Sequence, residues 1–273
     1  WLCAPVAITS GGVHVAAPDF APPGFPAERI EVLEDVEDDH HFWAGPRRRL
    51  LERRLERALR GRVGAAVDLG CGLGAFTRRL LRHADSVVGL DGHAAALESA
   101  ARRSPEVVWV QGDVAHTPFA DRQFDVVCLL DVLEHTEPRA LLAETARLLT
   151  PGGLLLLSVP AFPSLWSEVD TAAGHRCRYT RATLRREVEE AGLVWQSATH
   201  FQMTWFPLLW IARRVVRLPP RRQRAPAPAL AALLRAVNRA EVRLTGGASL
   251  PWGTSLVAEA RAACEREGLK VEL

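Results

Sequence analysis

No stretch of this 273-residue chain stays apolar for long enough to span a bilayer. Lysine is all but missing, since Lys270 is the only one among 34 basic residues, a bias that reads as composition rather than chemistry. Net charge is also small, at +2, which speaks against a surface built to coat nucleic acid, so no nucleic-acid partner is expected. The five cysteines (Cys3, Cys71, Cys128, Cys177, Cys264) lack metal-ligand spacing. Cys71 falls in a glycine loop and Cys128 in a core strand, so neither suits a disulfide, and a reduced, cytoplasmic setting is expected. The basic start of a secretory signal is absent too. The chain begins Trp1-Leu2-Cys3 without methionine and reads as a fragment or a mis-set start. Residues 1–27, rich in Ala, Pro and Gly and without sustained period, read as a flexible leader. What is present, 48% hydrophobic and 24% charged residues, suits one sizeable core with room for an appendage.

The most informative segment is Val67-Asp68-Leu69-Gly70-Cys71-Gly72-Leu73-Gly74-Ala75-Phe76. It reads as a buried strand, a three-glycine loop and a helix start. Glycine lets a ligand lie against bare backbone, and the helix start offers unpaired N–H groups. The next apolar strand, Val87-Val88-Gly89-Leu90-Asp91, closes on an acid. These features describe a nucleotide-like cofactor site on a parallel α/β sheet. A dinucleotide fingerprint needs glycine three places after Gly72, where Ala75 stands, and Asp68 would repel a pyrophosphate. An acid there suits a cationic ligand instead.

The pattern D-x-G-x-G-x-G over Asp68–Gly74 resembles motif I of the class I S-adenosylmethionine-dependent methyltransferases. Gln111-Gly112-Asp113-Val114, Phe124 to His135, and Leu149-Thr150-Pro151-Gly152-Gly153 resemble later motifs of that family, in order. The resemblance covers about residues 40–203 well. It implies S-adenosylmethionine as cofactor, with Asp68 favouring its cationic amino-acid end and the loop of Gly70, Cys71, Gly72 and Gly74 letting backbone approach it. It further implies Asp91 and Gly92 at the ribose, Asp113 and Val114 at the adenine, and Asp131 close by. A Rossmann-like, doubly wound, seven-stranded sheet with helices on both faces and an antiparallel last strand is the fold it implies.

Alternation of apolar and polar segments places strands near 64–69, 86–90, 107–111, 124–130, 153–159, 193–200 and 254–261, with helices at 40–60, 75–83, 93–102, 138–149 and 180–191. The core is expected over 28–203 and again, as the last strand and tail, over 251–273; residues 204–250 read as a helical insertion or lid with helices near 206–218 and 227–244. Six arginines within 213–224, with Trp210, suit either an anionic membrane surface touched through 205–224 or a lid with a solvated face. Glu241 falls on the apolar side of the second helix and needs a partner, an arginine of the body being the first choice and substrate the second. Trp43 reads as a hydrophobic staple onto the sheet, or as part of a lid.

Two loops at the carboxyl ends of strands offer acceptor chemistry. In the first, His135 is a base near neutral pH. Leu133-Glu134-His135 also resembles ubiquinone-pathway O-methyltransferases, which implies Asp131, Glu134 and His135 as Mg²⁺ ligands; a polar helix-start cluster is the plainer reading, and no metal is assigned. The second loop, Leu-Trp-Ser-x-x-Asp from Leu165 and Gly-His-x-x-Arg-Tyr-Thr from Gly174, resembles a bacterial branch of these methyltransferases. It offers Asp170, His175 and Tyr179 as catalytic candidates, while Thr180 caps the following helix. The expected activity is methyl transfer to a small-molecule or lipid-linked acceptor, at oxygen or carbon. An inactive methyltransferase-like docking module and a nicotinamide-dependent oxidoreductase are the alternatives.

Overall fold

The computed structural model describes residues 7–9, 11–18, 20, 34, 37–214, 227–245 and 248–264, with side chains from 212 to 214 not described. Within them the chain forms β1 (Ala7–Ile8), β2 (Val13–Val15), α1 (Ala44–Ala58), β3 (Val63–Leu69), α2 (Thr77–Leu80), β4 (Ala84–Asp91), α3 (Ala94–Arg103), β5 (Val108–Gln111) and β6 (Phe124–Leu130). There follow α4 (Pro138–Leu148), β7 (Leu149–Pro160), α5 (Glu168–Ala172), α6 (Arg181–Glu190), β8 (Leu193–Phe201), α7 (Phe206–Arg214), α8 (Pro228–Thr245) and β9 (Ser255–Ala262). One sheet runs β1-β2-β5-β4-β3-β6-β7-β9-β8. From β2 to β7 the strands are parallel, and β9 inserts antiparallel between β7 and β8.

Nearly every residue of the central strands is apolar because both faces of the sheet are covered. Val67, Leu69, Val127 and Leu129 point into a core closed by Leu141 and Leu142 of α4 and Leu184 of α6. Ala66, Val126 and Cys128 point the other way, onto Leu51 and Leu55 of α1 and Leu97 of α3. The fold class is the expected one.

The sheet has nine strands, not seven. The two additions come from the segment read as a flexible leader. Val13–Val15 pairs with Trp109–Gln111, and Val13 is 1% exposed. A three-residue strand has no period to detect, but it satisfies backbone groups that the edge of β5 would otherwise leave open. The helix after the glycine loop is also shorter than expected. His83 donates to the carbonyl three residues back (2.8 Å) and β4 resumes at Ala84, so the loop opens onto one turn rather than a long helix.

In α1 the interleaved arginines divide between solvent, where Arg49 and Arg57 are exposed, and the protein. Arg47, Arg48 and Arg54 are buried, which requires partners. Arg54 reaches Glu259 at 2.5 Å, Arg48 reaches Asp39 at 3.0 Å, and Arg47 reaches Asp131 at 2.6 Å. Trp43 packs partly buried against the core and beneath the Arg47 guanidinium, 4.9 Å from its ring centre.

Among the described residues Glu241 is not paired with an arginine of the body; backbone holds it instead. Its carboxylate accepts from the N–H groups of Gln202 (2.7 Å), Met203 (3.2 Å) and Thr204 (3.0 Å) and from the Thr204 hydroxyl (3.0 Å). It therefore clamps α8 onto the loop that leaves β8. Asn238 completes the attachment by donating to the Phe42 carbonyl at 2.9 Å. The arginines of 215–224 lie outside the described residues.

Candidate functional site

Strand β3 delivers the chain to a loop in which Gly70 (φ 75°), Gly72 (φ 54°) and Gly74 (φ 81°) are all left-handed. Two of them also face close neighbours. A Cβ on Gly70 would lie 2.5 Å from a Val132 methyl, and one on Gly74 would lie 2.4 Å from the Trp109 indole. Trp109 sits under the loop, its indole N–H bonded to the Ser104 carbonyl at 2.9 Å. Gly70 and Cys71 both donate to the Leu90 carbonyl, at 2.7 and 3.1 Å. Burial, reinforced by Asp91 and Asp68, pushes the Cys71 thiol up, so it is a protonated wall residue and no nucleophile.

Asp68 is 2% exposed. Its Oδ2 accepts from the Thr77 hydroxyl at 2.6 Å, while Oδ1 is buried with no hydrogen-bond partner among the described residues. Burial is the main cause that raises this carboxyl to about 7; Thr77 opposes the rise and Asp91 adds to it. Asp91, at the end of β4, accepts from the Gly72 N–H (2.8 Å) and the His93 N–H (2.9 Å), and His93 Nδ1 lies 3.0 Å away. Gly92 is the turn between them. Asp113 accepts from the Ala115 N–H at 2.9 Å and meets the exposed His116 ring at 2.8 Å, which raises that imidazole's pKa. Val114 packs half-buried on the core beside it.

These residues fit S-adenosylmethionine. An orphaned buried acid suits a cationic amino group, a left-handed glycine loop leaves backbone exposed, and a second acid closes the neighbouring strand. Thr77, His93 and Trp109 were not legible as site residues. Only their positions after the motif acids hinted at them.

The first of the two loops read as offering acceptor chemistry adjoins this loop through the Val132–Gly70 contact. Asp131 is held left-handed (φ 60°), and its carboxylate turns to Arg47, with Ser158 bonded to both. Glu134 is 1% exposed, and Oε2 has no partner among the described residues. Burial and the Asp131 charge push its carboxyl well up. His135 and His175 meet edge to face with ring centres 4.8 Å apart. Burial, then the His175 charge, pull His135 down to about 4, so it is neutral at pH 7. His175 Nδ1 lies 3.0 Å from Asp170 Oδ1, and Arg178 reaches the same oxygen at 2.7 and 2.8 Å. Burial alone would raise Asp170, but the His175 and Arg178 hydrogen bonds win and hold it below the usual carboxylate range. Ser167 adds two more bonds to Asp170, from its N–H (2.8 Å) and its hydroxyl (3.1 Å).

The structure thus brings His135, His175 and Asp170 together but carries Tyr179 elsewhere. Tyr179 is buried in the core, its backbone bridging Pro160 and Phe162, and burial pushes its phenol up. Thr180 caps α6 through the Thr183 N–H, as its position suggested.

Residues 67–157 match the model of a methyltransferase domain. Over 96 residues the chain is 43% identical to the 2-phytyl-1,4-naphtoquinone methyltransferase of Thermosynechococcus vestitus, covering 32% of this chain and 42% of that protein. Over 118 residues it is 32% identical to the demethylmenaquinone methyltransferase of Renibacterium salmoninarum, covering 41% and 50%. The chain therefore spans about half the length of these curated relatives, or less. Among solved structures, the geranyl diphosphate C-methyltransferase of Streptomyces coelicolor, with S-adenosyl-L-homocysteine bound, superposes with a TM-score of 0.53 at 17% identity, covering 78% of this chain and 79% of that one. The fold, the ordered motifs and the family match agree: residues 67–157 carry a methyltransferase domain, on the fold of the class I S-adenosylmethionine-dependent enzymes that the motifs resemble.

Proposed function

We propose that the protein moves the methyl group of S-adenosylmethionine to oxygen or carbon of a small-molecule or lipid-linked acceptor, with His175 as the base. The observation that best supports this is the Asp170–His175–His135 series, in which His135 stands three residues after Val132, the residue packed on Gly70 of the glycine loop. When bound, S-adenosylmethionine supplies an electrophilic methyl on a sulfonium and leaves as a thioether. The acceptor's electron pair forms the new bond to carbon, and its proton passes to His175 Nε2. Asp170 holds the other ring nitrogen and stabilises the imidazolium that results. Neutral His135 orders the ring without competing as a charge.

An apolar acceptor is supported by Phe162, which stacks on His200 at 5.1 Å and meets Phe206 at 5.1 Å. The two relatives named above carry naphthoquinone and menaquinone in their names, which supports a hydrophobic aromatic acceptor. His175→Gln tests the base. It is expected to lower kcat by roughly 10²–10⁴-fold and to leave S-adenosylhomocysteine affinity within about twofold. Equal loss of both would refute the role.

The same reading includes a cytoplasmic protein with peripheral membrane contact through 205–224. Leu208, Trp210 and Ile211 of α7 are exposed, and no described helix is long and apolar enough to cross a membrane. Co-sedimentation with anionic vesicles at low salt is the expected result; binding that ignores the Trp210→Ala change would sink this part. An inactive docking module would bind those vesicles but not S-adenosylhomocysteine.

A further inference from the structure

We propose that Glu134, His135 and His175 form a binding site for one divalent transition-metal ion of the zinc class. One ligand atom from each residue lies within 4.8 Å of the other two. Glu134 Oε2 is buried without a hydrogen-bond partner among the described residues, and a carboxylate oxygen so placed needs a cation or a donor. The site draws on two separate segments. Glu134 and His135 come from the single helical turn after β6, and His175 from the loop after α5. The Arg176 N–H, donating to the Glu134 carbonyl at 2.7 Å, ties the two together.

The surroundings are those of a metal-binding histidine. His175 Nδ1 is engaged by Asp170, which leaves Nε2 as the ligand atom and fixes the ring. Asp170 is in turn fixed by Arg178 and Ser167. Two imidazoles and one carboxylate select zinc, cobalt or iron over the hard, oxygen-preferring Mg²⁺ and Ca²⁺. The Mg²⁺ set that the sequence resemblance implied, Asp131 with Glu134 and His135, is not the one assembled. Asp131 is committed to Arg47 at 2.6 Å, and His175 stands in its place. A second carboxylate–histidine group, Glu52, Glu56 and His83, makes an internal contrast: Arg79 and Arg82 already neutralise Glu52. No arginine contact of that kind is made by Glu134 among the described residues.

Metal on His175 Nε2 would exclude that atom as the base of the proposed methyl transfer, so the two roles compete; the metal site is tested without turnover and the base through kcat, so the failure of one is told from the failure of the other. The full chain, stripped with chelator, is titrated with Zn²⁺ by calorimetry, and with Co²⁺ while its visible d–d absorption is followed. One equivalent is expected to bind. Glu134→Gln and His175→Ala should abolish stoichiometric binding and the Co²⁺ spectrum, and Asp170→Asn should weaken affinity roughly 10–100-fold. Glu52→Gln should leave it unchanged. S-adenosylhomocysteine binding and thermal melting of each variant verify that it is folded. Failure of folded wild type to bind, or binding that survives in folded Glu134→Gln and His175→Ala, overturns the proposal.

Discussion

Asp68→Asn tests the cofactor site through its charge. The Asp68 carboxyl is buried, carries one acceptor oxygen with no partner among the described residues, and is raised to about 7 from an ordinary value of 3.8. If the amino group of the cofactor binds the ionised form, affinity must follow the ionised fraction. At pH 8 that fraction is about 0.9, at pH 6 about 0.09 and at pH 5 about 0.01, so the Kd for S-adenosylhomocysteine should rise about tenfold per pH unit below 7. The amide should show a flat profile over pH 5–7. Its affinity should be roughly 10–100-fold weaker than wild type at pH 8, the worth of a hydrogen bond to a charged partner, and similar to wild type near pH 5. The stability of the free protein should move oppositely. A carboxyl raised on folding contributes stability that is complete below its unfolded pKa of 3.8 and is lost as pH climbs through about 7. Ionising it above that point costs on the order of 4 kcal/mol. Asn removes that cost, so the variant should melt higher than wild type at pH 8 and not at pH 4. Calorimetric titration across pH 5–8 measures the first effect and scanning calorimetry the second. A flat wild-type profile, or the same slope in the variant, would refute the reasoning.

Gly70→Ala combines a left-handed backbone (φ 75°) with a Cβ 2.5 Å from Val132, and should cost roughly 2–4 kcal/mol, seen as a melting-temperature fall of about 5–15 °C. Adding Val132→Ala should recover the steric part and leave the backbone part, and no recovery would place the strain elsewhere. Glu241→Ala strips an acceptor from three N–H groups and one hydroxyl, so it should cost roughly 2–4 kcal/mol and release the amides of residues 202–204 to hydrogen exchange, whereas unchanged protection would deny the clamp.

The central strands were legible because a sheet covered on both faces writes itself as unbroken apolar runs, and Phe124–Leu130 matched its reading to the residue. Val13–Val15 was not, because its pairing depends on the open edge of β5 and not on its own pattern. The acids at the ends of β3 and β4 stood out from their spacing, but the reason for one glycine did not. Gly74 faces Trp109, which lies 35 positions along the chain, and only folding brings them together. Glu241 failed in the same way. Helical periodicity placed it on the buried side, yet its donors are backbone groups two elements away, and backbone carries no residue type to read. On the acceptor side, Asp170 and His175 were visible as a polar set. That Glu134 would be buried with them, while Asp131 turned to Arg47, depends on α1 packing on the sheet, which only folding brings about.

Strain gathers where these loops meet. Among the described residues, four that are not glycine have left-handed backbone: Arg122, Asp131, Phe162 and Gln202. Three of the four, Asp131, Phe162 and Gln202, directly follow or lie within two residues of the carboxyl ends of β6, β7 and β8. Each costs on the order of 1 kcal/mol or more and persists only if its surroundings over-determine it. They do so by different means. Arg47 and Ser158 hold Asp131, the Tyr179 carbonyl accepts from the Phe162 N–H at 2.8 Å, and Glu241 accepts from the Gln202 N–H at 2.7 Å. Two of these anchors, Arg47 and Glu241, come from helices α1 and α8, which flank the core in sequence and are joined through Asn238 and Phe42. The segment of α8 is therefore coupled to the same strand ends that precede the Glu134–His135 turn and the Asp170–His175 loop. A change in how α8 sits would reach Gln202 and Asp131 before it reached the glycine loop, so under the proposed function Asn238→Ala is expected to weaken acceptor affinity while S-adenosylhomocysteine affinity holds, and equal loss of both would break the link.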